Sequence, residues 1–302
     1  MATSTSSSVR DASAPQLVTA MFLAYWFGSP QFVPSALLVA LLGTLGVAEP
    51  AARAALSRLA RRGQLEGSRS GRHTAYRLAP ASFAAARAQG WRMMRFGTPR
   101  AWDHRWTCVV FSIPEAERGR RPALRQRLRD LRLGPLFDGF WITPLAPLEA
   151  IDRSLRDLHV RDVAVFRVDE VPRAGGVDLL SAWDLPALRA GYDDLVTRLE
   201  PVVRSARAGT LAAHEALVSR VDVCNRWRAL AAADPGLPPE LLPADWPQRR
   251  ARQLFVEAYD TLGPLGAQHV RRLASTAARG RPTPVPRSRR VADCVGPVAL
   301  GA

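Results

Sequence analysis

Ala54, Ser57 and Arg61 lie three and four residues apart, so at about 100° per residue they share one face of any helix that holds them. Arg53 and Arg58 flank that face, Arg62 follows it, and Arg69, Arg72 and His73 cluster a little further along. A guanidinium is a planar fork of donors that fits phosphate oxygens and the acceptor edge of guanine, and a serine hydroxyl adds an adaptable polar contact. No acidic residue follows Glu49 before Arg61 to neutralise the group. The chemistry on offer is recognition of a polyanion, not bond making. A basic face on a short helix is also how ordinary solvated surface looks, so the surrounding elements must decide.

Those elements read clearly. Pro50 suits a first helical turn and Gly63 suits a helix end. Between them Ala52, Ala55, Leu56 and Leu59 recur at i, i+3, i+4 and i+7, an apolar stripe opposite the basic face. Two extended runs follow, 64–69 and 73–78, joined at Ser70-Gly71. A helix with a small-residue, basic outer face and then a basic hairpin has the order of a winged helix-turn-helix, in which the helix enters the major groove and the hairpin reaches the flanking backbone. On this reading Arg53, Ala54, Ser57, Arg58, Arg61, Arg62, Arg69, Arg72 and His73 face double-stranded DNA.

The composition agrees with a polyanionic partner. The chain has 302 residues, 42 basic against 27 acidic, a net charge of +15, and every basic residue is arginine. Residues 1–80 carry 8 basic and 3 acidic side chains and residues 81–175 carry 17 and 11, whereas 176–280 are nearly balanced at 13 and 12. The excess therefore sits in the front and middle of the chain. Cys108, Cys224 and Cys294 are too widely spaced for a metal knuckle and odd in number, which fits reduced thiols in a cytoplasmic protein. The most apolar stretch, 17–47, is split by Gly28-Ser29-Pro30-Gln31 into pieces too short for a bilayer, so no membrane span is expected.

Along the chain, residues 1–15 read as a disordered leader and 16–96 as the winged-helix domain, with helices expected over 17–27, 34–45, 50–62 and 79–92. Strand, helix, strand, helix and strand are expected over 106–113, 115–133, 138–143, 147–158 and 160–168, a small α+β domain, ferredoxin-like in outline, within 97–175. Leu and Ala at helical spacing mark helices over 182–199, 211–233 and 246–274, a helical domain within 176–279. Residues 280–302, rich in Pro and Arg, read as a disordered basic tail. The fold class is α+β and multidomain.

The chain resembles the PaaX-like regulators, which repress phenylacetate-type catabolic operons in bacteria. The resemblance runs from about residue 17 to 275. It is carried by Gly71-Arg72 followed by Tyr76-Arg77-Leu78, by WTCVVFSIPEAERGRRPALRQRLRDLRLG in the middle, by AWDLPALRAGY at 182–192, and by DPGLPPELLPADWP followed by ARQLFVEAY. It implies an N-terminal winged helix, a central fold like that of Cas2, a C-terminal helical domain, a homodimer, and repression relieved by an aryl- or acyl-CoA thioester such as phenylacetyl-CoA. Trp183, Arg226, Trp227, Arg228, Trp246, Arg252 and Tyr259 could then form the effector site, since rings stack an aromatic acyl group and guanidinium groups pair with phosphates.

A Cas2-like domain raises a metal-dependent nuclease as the alternative, and a DNA-binding protein without an effector is a third reading. The nuclease needs a carboxylate at the end of its first strand to hold a hard cation, and here that strand ends in Phe111-Ser112-Ile113-Pro114, with Glu115 and Glu117 only beyond it. The five histidines are scattered, and neither a nucleophile elbow nor a glycine-rich phosphate loop is present. No catalytic residue, metal ligand or cofactor is expected.

Overall fold

A computed structural model of the chain describes residues 12–71, 73–98, 101–145, 148–169, 177–277 and 283–295. In chain order these contain α1 (Ala14–Tyr25), β1 (Val33–Pro34), α2 (Ser35–Thr44), α3 (Glu49–Arg61), β2 (Leu65–Ser70), β3 (His73–Leu78) and α4 (Pro80–Arg95). Next come β4 (Trp106–Phe111), α5 (Arg121–Asp130), β5 (Gly134–Phe137), β6 (Phe140–Thr143), α6 (Leu148–Asp157) and β7 (Val163–Val168). Four helices end the series: α7 (Leu185–Arg207), α8 (Ala213–Ala233), α9 (Gln248–Ala277) and α10 (Val291–Val295). Two compact units form, one from residues 1–96, 191–231 and 248–302, the other from 97–190 and 232–247.

In the first unit β1, β3 and β2 pair antiparallel in that order, with Val33 opposite Tyr76 and Leu65 opposite Leu78. Helix, strand, two helices and a hairpin make a winged helix-turn-helix. Ser70 pairs with His73, so it belongs to the strand and the hairpin turns at Gly71, one residue later than expected. α2 is apolar on every side because it is covered twice, by α3 and by α9. Its Leu37, Leu38, Leu41 and Leu42 are almost fully buried, which accounts for the unusual hydrophobicity of that segment. Leu217 and Val221 of α8 and Ala267, Val270 and Ala274 of α9 share one core with α1, α2 and α3. The reading head and these helices thus pack into a single compact unit.

Of the tail expected over 280–302, residues 280–282 and 296–302 lie outside the described part. Residues 283–295 lie on the first unit: Trp26 Nε1 donates to Pro284 O at 3.0 Å, Arg287 N to Tyr25 O at 2.8 Å, and Val291 N to Asp260 at 2.7 Å. Composition pointed to disorder, but the prolines stiffen the strap and these bonds anchor it. At the other end α1 begins at Ala14 with a Ser13/Gln16 capping box, inside the expected leader, while residues 1–11 lie outside the described part.

In the second unit the sheet order is β5-β6-β4-β7, every neighbouring pair antiparallel. That is the ferredoxin-like topology, completed by an edge strand, β5, that the sequence reading did not find. Pro135 within β5 explains the omission, because proline argues against a central strand and is tolerated at an edge. The helix expected over 115–133 is a 3-10 turn at Glu115–Arg120 followed by α5, since Pro122 suits the start of a new helix. α5 and α6 cover one sheet face through Leu124, Leu128, Ile151 and Leu155 against Val109 and Trp141. On the other face Ala182, Leu179 and Trp183 pack on Trp106, Cys108 and Ile142.

Candidate nucleic-acid interface and an adjoining cavity

α3 buries Ala52, Ala55, Leu56 and Leu59 and exposes Arg53, Ala54, Ser57, Arg58, Arg61 and Arg62. The stripe read from the sequence is the face that meets the core. Past Arg62 the chain closes the helix with Gly63 at φ +67°, Gln64 N bonding to Leu59 O at 2.9 Å and Gly63 N to Ala60 O at 3.0 Å. This Schellman closure fixes where the helix stops and where the wing begins. Arg53 pairs with Glu49 at 2.7 Å, both side chains largely exposed, an arrangement weak enough to exchange for a phosphate. Among the described residues Arg58, Arg61, Arg62 and Arg69 make no ion pair.

Arg69 and His73 are exposed at the end of the hairpin, and Arg72 lies outside the described residues. The hairpin is braced by Arg77, which pairs with Glu66 at 2.7 Å, donates to Pro30 O at 2.9 Å and covers the Phe32 ring at 4.7 Å. The wing's basic end is therefore carried on a fixed stem.

The seven residues expected around an effector do not converge. Trp183 and Trp246 belong to the second unit. There Trp183 stacks near Trp106 and packs against Gly134, where a Cβ would come within 2.6 Å of its ring. Arg226 is buried and holds Asp222 at 2.7 Å and Asp194 at 3.2 Å, tying α8 to α7. Trp227, fully buried, stacks on Phe255 with centroids 4.8 Å apart and donates Nε1 to Met93 O at 3.0 Å. Arg252 donates to Met94 O at 3.0 Å and to Phe96 O, closing the carbonyl end of α4. Burial lowers the pKa of its guanidinium.

Of the seven, Arg228 and Tyr259 line one cavity together. It is a half-open cleft of about 350 Å³ in the first unit, with walls from α1, α4, α8, α9 and the tail. Leu59 and Gln64, at the end of the exposed basic helix and the start of the wing, also line it. Arg220 forms part of the wall, 1% exposed, its guanidinium 4.1 Å from the Tyr259 ring centroid and 5.5 Å from that of Tyr25. Nη2 donates to Arg289 O at 3.1 Å and the Tyr25 hydroxyl interacts with the guanidinium, while Nε and Nη1 have no well-aligned acceptor and no carboxylate pairs with Arg220 among the described residues. Asn225 Nδ2, also in the wall, is likewise without an acceptor. Burial pushes the Cys224 thiol up to about 11, against the pull of Arg220, so it stays protonated. Burial raises Tyr259 too.

The sequence carries a signal for Arg220. Ala213, Ala216, Arg220, Val223, Trp227 and Leu230 alternate at spacings of three and four, an apolar stripe with an arginine inside it, and all six are buried. A charge in a core register marks a site or a partner.

Among the described residues no catalytic or metal-binding group assembles at the end of β4. Glu115 pairs with Arg118 at 2.9 Å and Glu117 with Arg120 at 2.7 Å, both pairs at the surface. No group of His, Cys, Asp or Glu among the described residues is arranged to hold a metal. No helix there is long and apolar enough to cross a membrane.

Comparison with known proteins matches three successive stretches: residues 13–82 to the PaaX-like protein model, 99–177 to the PaaX central Cas2-like domain, and 183–272 to the PaaX-like C-terminal domain. The transcriptional repressor PaaX of Escherichia coli (strain K12) is 27% identical over 266 residues, covering 86% of this chain and 81% of that protein. Among solved structures, the uncharacterized protein Rv0674 from Mycobacterium tuberculosis is 24% identical with a TM-score of 0.58, over 86% of this chain and 98% of the other, and shows a shared fold.

Proposed function

This chain belongs to the PaaX-like family, and on that premise we propose that it is a DNA-binding transcriptional repressor whose hold on its operator is loosened by a small effector. The observation that carries the reading is the outer face of α3 with its wing. Arg58, Arg61, Arg62 and Arg69 stand exposed and without acidic partners among the described residues, on a scaffold whose third helix is backed by a continuous core. Base-edge contacts from Arg53, Ser57 and Arg61 specify the sequence, and the wing's Arg69, Arg72 and His73 position the head on phosphates. The protein works in the cytoplasm, and its effector is an aryl- or acyl-CoA thioester, phenylacetyl-CoA or a relative.

One head reads too few base pairs to discriminate, so the active form is a homodimer on a two-fold site. Support comes from the sheet of the second unit, where Val110, Phe137 and Phe166 are 40%, 57% and 42% exposed and both Val110 and Phe137 pair with Phe140. The test is duplex DNA from the protein's own upstream region, titrated by fluorescence anisotropy across a salt series. Log affinity falls with log salt at a slope of about −0.9 per neutralised phosphate, and Arg69→Ala flattens it by about one unit. Affinity independent of salt, or cleavage of the duplex that requires a divalent metal, would refute the repressor reading in favour of another activity.

A further inference from the structure

We infer that the cavity behind α3 is a binding site for a small organic anion with an apolar body, a carboxylate of free-acid size. Three independent features point to that chemistry. The first is charge: Arg87, Arg220, Arg228 and Arg289 line the cavity, and none of the described residues lining it is acidic. The second is unmet hydrogen bonding. Arg220 and Asn225, 1% and 7% exposed, hold buried N–H groups with no well-aligned acceptor among the protein's own atoms, and an anion's oxygens supply acceptors of the kind they lack. The third is the rest of the wall, where Ala20, Leu23, Ala24, Phe27, Trp91 and Met94 offer an apolar bed for a ring or chain.

Size narrows the class. Ligand sites run from about 300 to 1,000 Å³, and about 350 Å³ is at the small end, enough for an arylalkanoate or a medium-chain fatty acid. The cleft is open on one side, so a nucleotide thioester would seat only its acyl end there, without the carboxylate that the arginines favour. Arg228, half-buried and without an ion pair among the described residues, is placed to meet the carboxylate beside Asn225. Arg220, fixed between two tyrosine rings, supplies positive charge from the wall.

The position gives the ligand a route to the reading head. Leu59 lies on the buried face of the helix that exposes Arg58 and Arg61, and Gln64 opens the wing, so whatever fills the cavity touches the base of both DNA-contacting elements. Arg289 and Cys294 of the tail line the cavity as well. This regulatory consequence rests on the repressor reading; the binding site does not.

The experiment uses the full chain in two stages. Calorimetric titration of phenylacetate and octanoate is compared with the neutral phenylacetamide and with phenylacetyl-CoA, for the wild type and for Arg228→Gln and Ala20→Phe, each checked for folding by its thermal melt. The expected result is saturable carboxylate binding, weakened about tenfold or more by removing the charge from either side and abolished when the larger side chain of the Ala20→Phe variant fills the space. Thioester binding that is sensitive to both substitutions, without saturable binding of either acid, overturns the free-acid assignment. Absence of saturable binding by either acid below millimolar, or affinity that Arg228→Gln and Ala20→Phe both leave unchanged, overturns it. The same titrations with upstream duplex present separate the two claims. Carboxylate binding that leaves DNA affinity unchanged keeps the site and removes its role as the repressor's switch.

Discussion

Trp227→Phe distinguishes a core tryptophan from a ligand-stacking one. In the structure the indole is fully buried, stacked on Phe255 at 4.8 Å, with Phe96 at 5.0 Å, and its Nε1 donates to Met93 O at the end of α4. Phenylalanine keeps the stack but loses the donor and leaves a void. Met93 is only half-buried, so its orphaned carbonyl costs near the low end of the range for an unsatisfied group, about 1 kcal/mol. A void larger than a methyl group adds about 1 kcal/mol or somewhat more. The sum is about 2–3 kcal/mol, and a domain of this size loses about 2–4 °C per kcal/mol, so the melting midpoint falls by about 4–12 °C. Trp227→Ala removes the stack as well and costs about 3–5 kcal/mol. Circular dichroism melts of the full chain measure both, with carboxylate and thioester titrations of the folded Trp227→Phe protein alongside. Trp227→Phe melting within about a degree of wild type while losing ligand affinity would refute the packing argument and return this residue to the effector site.

Other outcomes follow from single contacts. Gly134→Ala places a Cβ 2.6 Å from the Trp183 ring and 2.8 Å from Ala182 O, where backbone blocks relaxation, so a loss of about 1–3 kcal/mol in urea unfolding is expected. His269, 3.0 Å from Thr44 Oγ1, has its pKa lowered by burial first and then by Arg272 and His214. The unfolded chain then binds more protons below about pH 6.5, so stability falls as pH drops through that value, and His269→Gln should flatten the fall. Burial raises Cys108 and Cys224 to about 11, so both should resist a thiol reagent at pH 8 in the native protein and react in urea.

Elements set by local chemistry were legible. Pro50 and Gly63 bracket α3 to within a residue, and the stripe of Ala52, Ala55, Leu56 and Leu59 is its buried face. β5 was not legible, because Pro135 erases the strand signal where only edge pairing makes it possible. The joining of the head to α8 and α9 was hidden for a different reason. Periodicity shows that Leu217 or Val270 faces a core but not whose core, and α2's all-round apolarity was the one hint that it had two neighbours. For the cavity, aromatic and arginine content pointed to Trp183, Trp227, Arg226 and Arg252, each of which serves packing or hydrogen bonding within its own unit. Arg220, a charge inside an apolar stripe, was the more informative residue.

The central claim is that α3 reads DNA, and the most direct measurement is footprinting of the protein on its own upstream region with Arg61→Ala compared against wild type. The account predicts two protected half-sites separated by one or more helical turns. It further predicts that Arg61→Ala loses about 1–3 kcal/mol and blurs protection of specific over unrelated sequence, with its thermal melt unchanged because the side chain is exposed. Protection by Arg61→Ala identical to wild type in affinity and boundaries would contradict the placement of the reading head on this helix.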